Sequence, residues 1–222
     1  MAKKIGVVLS GCGVYDGSEI HEAVITLLAI DRNGAEAVCM APNIPQMHVV
    51  NHLSGEVAAN ETRNVLVEAA RIARGKIKDL AAVTAAELDA LILPGGFGAA
   101  KNLCDFAVKG VDCSVNPEVA RLIRAMVAAK KPVAAVCIAP AILSKVLGAD
   151  QLPHQLTIGT DAGTAAALTS MGSQHVACPA REFVVDKANK IVSSPAYMLA
   201  GSIAEAAEGI EKCVKTLIGL ID

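Results

Sequence analysis

At 222 residues the chain is long enough for one α/β domain with a sizeable core. A hydrophobic content of 53% and a mean hydropathy of +0.47 exclude disorder, and 2% aromatics without Trp leave Ala, Val, Ile and Leu to fill the interior. With 20 basic against 22 acidic residues and a net charge of −2, a phosphate-neutralising nucleic-acid surface is excluded, and two Tyr with three Phe are too few for base stacking.

Residues 4–9 form a short β-branched run that ends in Ser10-Gly11-Cys12-Gly13, the pattern of a buried strand feeding a turn. Ser18 is placed to cap a helix over 19–32, and Asn33-Gly34 is placed to close it. A second strand is expected over 35–41, stopped by Pro42, followed by a polar insertion over 42–62 with little regular structure. Residues 64–74 are amphipathic at helical spacing through Val65, Leu66, Ala69 and Ile72. A strand over 87–93 delivers Pro94-Gly95-Gly96-Phe97-Gly98, and Asn116-Pro117 opens a helix reaching 129. Residues 132–136 read as another buried strand, followed at once by Cys137 and a helix over 140–147. A strand over 156–160, a helix over 163–171, a hairpin of 183–185 with 190–194 and an amphipathic helix over 199–220 complete the chain. Strands apolar on both faces that alternate with helices predict a parallel sheet covered on both sides. With no internal repeat, low-complexity tract or linker, one domain over 1–222 is expected.

The longest apolar stretch, 132–143, is too short to span a membrane and holds two prolines, and the opening apolar run is too short for a secretory core. Seven scattered cysteines form no disulfide framework, and as reduced thiols they predict a cytoplasmic protein. Neither nucleic acid nor membrane is an expected partner.

Ligands in an open parallel sheet gather beyond the carboxyl ends of its strands, and three such ends carry unusual residues. Val136-Cys137-Ile138-Ala139-Pro140 has the logic of a nucleophile elbow: strand, one nucleophile, then small residues opening a helix. An ordinary thiol is only about 3% thiolate at pH 7, a deficit of roughly 2 kcal/mol. A helix N-terminus offsets about 0.3–1 kcal/mol of that, and up to about 2 when partly buried. The glycines of Pro94-Gly95-Gly96-Phe97-Gly98 would let backbone N–H groups face a developing oxyanion. Glu19 and Glu22, three apart on the first helix, can share a face; beside a thiolate, the consistent state is a pair holding one proton in common. Taken singly, the three features also fit a core cysteine, a tight turn and a solvated helix face. Gly11, Gly13 and Gly17 suggest a dinucleotide loop, but the second strand ends in Cys39-Met40-Ala41-Pro42 without the acid that would hold a ribose. His48 and His52 have metal-like i, i+4 spacing without an evident third ligand, so neither a metal nor another cofactor is expected.

Together, the stretch from Lys3 through Ser10-Gly-Cys-Gly13 to Glu22, the run Leu93-Pro-Gly-Gly-Phe-Gly-Ala-Ala-Lys-Asn-Leu103, Cys137-Ile-Ala-Pro140 and Ser194-Pro-Ala-Tyr-Met198 resemble the PfpI/glyoxalase III superfamily. They are most similar to its ElbB branch, associated with isoprenoid biosynthesis, and the likeness runs end to end. The resemblance implies a flavodoxin-like, doubly wound and mostly parallel sheet with helices on both faces plus a small β-hairpin, on the glutamine amidotransferase-like scaffold. It also implies a homodimer. It makes Cys137 the nucleophile and puts its acidic partner twelve residues before the glycine closing the first helix, at Glu22, with Glu19 as the other possibility. The N–H groups of Gly96 and Ile138 become the oxyanion donors.

Ile138 stands where many members of the superfamily have His, and 158–161 lacks the His that others place after the next strand. That counts against peptidase or glutaminase chemistry, in which an amine must be protonated as it leaves. For the ElbB branch the resemblance implies cofactor-independent conversion of glyoxal to glycolate, a small dicarbonyl substrate, and activity that can also register as deglycation. Two other readings stand beside it: a redox-sensing or interaction protein with a reactive cysteine, and a glutaminase-like amide hydrolase that takes a His from a partner or from the 42–62 insertion.

Overall fold

The computed structural model describes residues 2–222. Strand β1 (Lys4–Val8) is buried after its first residue, and helix α1 (Ile20–Arg32) follows its turn. Glu19 rather than Ser18 caps α1: the Glu22 N–H donates to Glu19 Oε2 at 2.7 Å. Ser18 is buried instead, where its Oγ accepts the Ser10 N–H at 2.9 Å and fastens the end of β1 to the helix start. Asn33 closes α1, with Gly34 at a positive φ as expected. After β2 (Glu36–Ala41), the insertion expected to be irregular carries a two-residue antiparallel ladder, β3 (Val50–Asn51) with β4 (Glu56–Val57). Then come α2 (Val65–Ile72), capped by Asn64, and the edge strand β5 (Lys78–Asp79).

Strand β6 (Ala90–Leu93) feeds the glycine loop, which ends in a π-helical turn at Ala99–Leu103. A short helix α3 (Phe106–Lys109) precedes α4 (Pro117–Ala128), which is opened by the expected cap: Asn116 Oδ1 accepts from the Glu118 and Val119 N–H groups. The chain continues through β7 (Val133–Val136), α5 (Pro140–Ala149), β8 (His154–Leu156), α6 (Ala162–Ser170) and β9 (Ser173–His175). It ends with β10 (Val184–Asp186), β11 (Ile191–Ser194) and α7 (Ile203–Gly219). The strand expected over 156–160 lies earlier than predicted and outside the main sheet: β8 pairs in parallel with β9, which was not expected at all.

The main sheet has seven strands in the order β10-β11-β7-β6-β1-β2-β5, parallel throughout except for the antiparallel β10–β11 pair. This is the flavodoxin-like arrangement, and the β10–β11 hairpin is its antiparallel margin. Successive residues of the central strands serve opposite faces. Leu91, Leu93, Val133 and Ala135 pack with α4, α5 and α6, whereas Ala90, Ile92, Ala134 and Val136 pack with α1, α2 and α7. No helix among the described residues is long and apolar enough to cross a membrane.

Candidate active site

The chain leaves β1 toward β2 and β5 on one side and returns on the other through β6, β7 and β11, so the order reverses between β1 and β6. A crevice at such a reversal opens beyond the carboxyl ends of the strands. Residues following β1, β6, β7 and β11 meet there.

Cys137 follows β7 directly and is held at φ 59, a left-handed conformation that is sterically costly for a residue with a Cβ. Its N–H donates to Ser194 O at 3.0 Å, and the small Ala139 and Ala141 leave room for the turn into α5. The side chain is 8% exposed.

Glu22 is fully buried on α1 against the thiol, and it is Glu22, not Glu19, that hydrogen-bonds with Cys137. Its two oxygens are held from different strand ends: the Gly95 N–H donates to Oε2 at 3.0 Å, and the Tyr197 N–H donates to Oε1 at 3.1 Å. Burial raises the Glu22 carboxyl to about 7, reinforced by the nearby Glu19 charge and opposed by the N–H donors and the thiol. Glu19 spends an oxygen on its cap and lines the mouth of the site.

Gly95 and Gly96 can be nothing larger. A Cβ on Gly95 would lie 2.4 Å from Cys137 Cβ and 2.6 Å from Glu22 Oε2, and one on Gly96, at φ 96, would lie 2.3 Å from the Glu19 nitrogen. This close approach brings the Gly96 N–H to the Cys137 sulfur, and the Ile138 N–H reaches the same atom. All four expected residues, Cys137, Glu22, Gly96 and Ile138, therefore meet around one atom.

The electrostatics differ from the expectation that a helix terminus alone nearly ionises the thiol. Burial, and then the charge of Glu22, push Cys137 well above the ordinary thiol range; the Gly96 and Ile138 N–H groups only oppose this. A thiolate forms here when Glu22 carries the proton, because two neighbouring charges are disfavoured in so buried a pair.

The sulfur opens into a cavity of 320 Å³ walled by Val14, Phe97, Ile138 and Met198, with Glu19, Thr164 and Tyr197 as its polar members. A larger cleft of 800 Å³ lies elsewhere, between β8–β9 and the β10–β11 hairpin; its Ser173 and His154 bond each other at 2.6 Å, and both are buried. Neither His48 nor His52 lines the Cys137 cavity. His52 accepts the Tyr15 N–H through Nε2 and sits 3.0 Å from Val50 O through Nδ1, so both ring nitrogens are engaged. Sequence reasoning quoted Gly95, Asn102 and Tyr197 only within longer motifs and assigned none of them its contact here. Asn102 knits the loops together, donating to Ser10 O and Asp16 O, both at 2.9 Å, and accepting the Met47 N–H at 2.9 Å. The Tyr197 contribution was foreshadowed by the place of Ser194-Pro195 at the end of a strand beside β7, a position hidden while that strand was read only as half of a hairpin.

Comparison with known proteins agrees with this architecture. Residues 13–197 match the DJ-1/PfpI family. The ES1 protein homolog, mitochondrial, of Rattus norvegicus is 47% identical over 222 residues, covering 98% of this chain and 84% of that protein. The Homo sapiens glutamine amidotransferase-like class 1 domain-containing protein 3, mitochondrial, is 47% identical over 224 residues, covering 99% and 84%. A crystal structure of an isoprenoid biosynthesis protein with amidotransferase-like domain from Ehrlichia chaffeensis superposes with a TM-score of 0.93 at 38% identity, covering 100% of each chain. Both curated relatives are named mitochondrial, which overturns the expected cytoplasmic compartment. All seven cysteines are free, which fits any reducing compartment and does not tell one from another. By matched residues, sequence identity and architecture, the chain belongs to the DJ-1/PfpI family and to its ElbB-like branch.

Proposed function

We propose that the protein is a cofactor-independent glyoxalase that converts glyoxal to glycolate, with Cys137 as nucleophile and Glu22 as proton carrier. One observation carries this reading: a strained, cavity-facing cysteine shares a hydrogen bond with a buried carboxyl whose proton affinity lies near neutrality, while two N–H groups converge on the sulfur. In the resting pair one proton lies between Cys137 and Glu22. The thiolate adds to one aldehyde carbon, and the new oxyanion is received by the Gly96 and Ile138 N–H groups. Glu22 protonates that oxygen, then as carboxylate removes the proton from the same carbon and returns it to the neighbouring one, while the hydroxyl proton on the first oxygen passes to the second. The result is a glycolyl thioester, which water hydrolyses to glycolate and free thiol. No amine leaves, so no histidine is required, in keeping with a cavity whose lining has none.

The test is a glycolate assay on the wild type, Cys137→Ala, Glu22→Gln and Glu19→Gln. Loss in the first two variants with retention in the third supports the pairing; turnover retained in Cys137→Ala overturns it. The working form we propose is a homodimer. An uncovered apolar row on α1, made by Ile20, Val24 and Leu28 at one-turn intervals, supports it.

A further inference from the structure

A second thiol pair lies away from the Cys137 cavity. Beyond the π-helical turn, the backbone around Cys104 pairs antiparallel with the backbone around Val115. The Asn116 N–H donates to Leu103 O at 2.8 Å, and the Asp105 N–H donates to Ser114 O at 3.2 Å. In such a ladder the residue two before Val115 is the diagonal same-face neighbour of Cys104, and that residue is Cys113. The Cys104 thiol donates to Ala99 O at 3.3 Å, and its sulfur lies near enough to that of Cys113 to couple the two protons. Cys104 and Cys113 are themselves buried, but the segment that joins them, α3 and the turn Gly110–Asp112, is mostly exposed, as are Asp112 and Ser114 on either side of Cys113. Lys145 adds a cation, its Nζ bonded to Val111 O at 2.8 Å, two residues before Cys113.

We propose that Cys104 and Cys113 form a peroxide-oxidisable dithiol that closes to an intrachain disulfide. The neighbouring Cys104 thiol, aided by Lys145, holds the Cys113 thiol below the ordinary range, while the same pairing and then burial push Cys104 up. Cys113 is therefore the attacking sulfur and Cys104 the resolving one. The Cys113 thiolate attacks one oxygen of a hydroperoxide, the O–O bond breaks, and a sulfenic acid and hydroxide form. The Cys104 sulfur then attacks the sulfenic sulfur, its proton leaves with the departing hydroxide as water, and the S–S bond closes. With hydrogen peroxide, two thiols are oxidised, the peroxide is reduced, and two waters leave.

Trypsin separates the two cysteines, because Lys101, Lys109 and Arg121 bound peptides 102–109 and 110–121. The full-length protein is treated with a small excess of hydrogen peroxide, alkylated with N-ethylmaleimide, digested without reductant and mapped by mass spectrometry. The expected result is a linked 102–109/110–121 species that disappears on reduction, with parallel loss of both alkylated peptides, in the wild type and in Cys137→Ser. In Cys104→Ser, Cys113 is expected to stop at a sulfenic acid trapped by dimedone. Recovery of both peptides alkylated, at a peroxide dose that already oxidises Cys137, overturns the proposal. So does a link that vanishes in Cys137→Ser, since the oxidation would then have been relayed. The wild-type map decides the matter even where Cys104→Ser fails to fold.

Discussion

At the scale of single residues, the site consists of one sulfur and one buried carboxyl that cannot both be charged. Cys137→Ala is expected to reduce glycolate formation to the uncatalysed background while circular dichroism and the unfolding midpoint stay near those of the wild type. Glu22→Gln removes the proton carrier and is expected to lower kcat by about 10²–10⁴-fold. The same carboxyl leaves a mark on stability. Its affinity rises from 4.5 to about 7 on folding, so in that interval the native state binds more protons than the unfolded one. The contribution is fully present below 4.5 and is lost as pH rises through about 7, a change of roughly 3 kcal/mol. Thermal unfolding followed across this window is expected to show the wild type losing stability relative to Glu22→Gln as pH increases. A pH-independent difference between the two would show that Glu22 is not held protonated by burial.

Elements place these residues, and here the reach of sequence reasoning divides sharply. Helices with a clear cap and an apolar stripe, such as the one opened by Asn116-Pro117, were legible because local chemistry decides them. The three-residue strands β8 and β9 and the two-residue β5 were not, since strands so short exist only because a neighbour is present to pair with them. Cys137, Glu22 and Gly96 could be singled out because their side chains, or the lack of one, mark the chemistry. Gly95 and Tyr197 act on Glu22 through backbone N–H groups, which every residue but proline possesses, so nothing in their identity announced it. The glycine loop is where an element meets the chemistry. Gly95→Ala puts a methyl 2.4 Å from Cys137 Cβ, and the expected result is lost turnover with a destabilisation of about 1–3 kcal/mol in urea unfolding.

For the whole molecule, the reversal of strand order gathers four strand ends at one crevice, while α1 carries Glu22 inward and Ile20, Val24 and Leu28 outward. If a second copy covers that row, Val24→Asp buries an unpaired charge at the contact and is expected to shift sedimentation from dimer to monomer. A wild type that sediments as a monomer would remove the dimer from the proposal.

The two tethers of Glu22 have a mechanical meaning. One runs to the loop after β6 and the other to the turn after β11, strands that lie on opposite sides of β7. Were those strands to spread, the dipoles that steady the negative carboxylate would weaken and the acid would hold its proton harder. The acidity of the carboxyl is thereby tied to the spacing of those two strand ends.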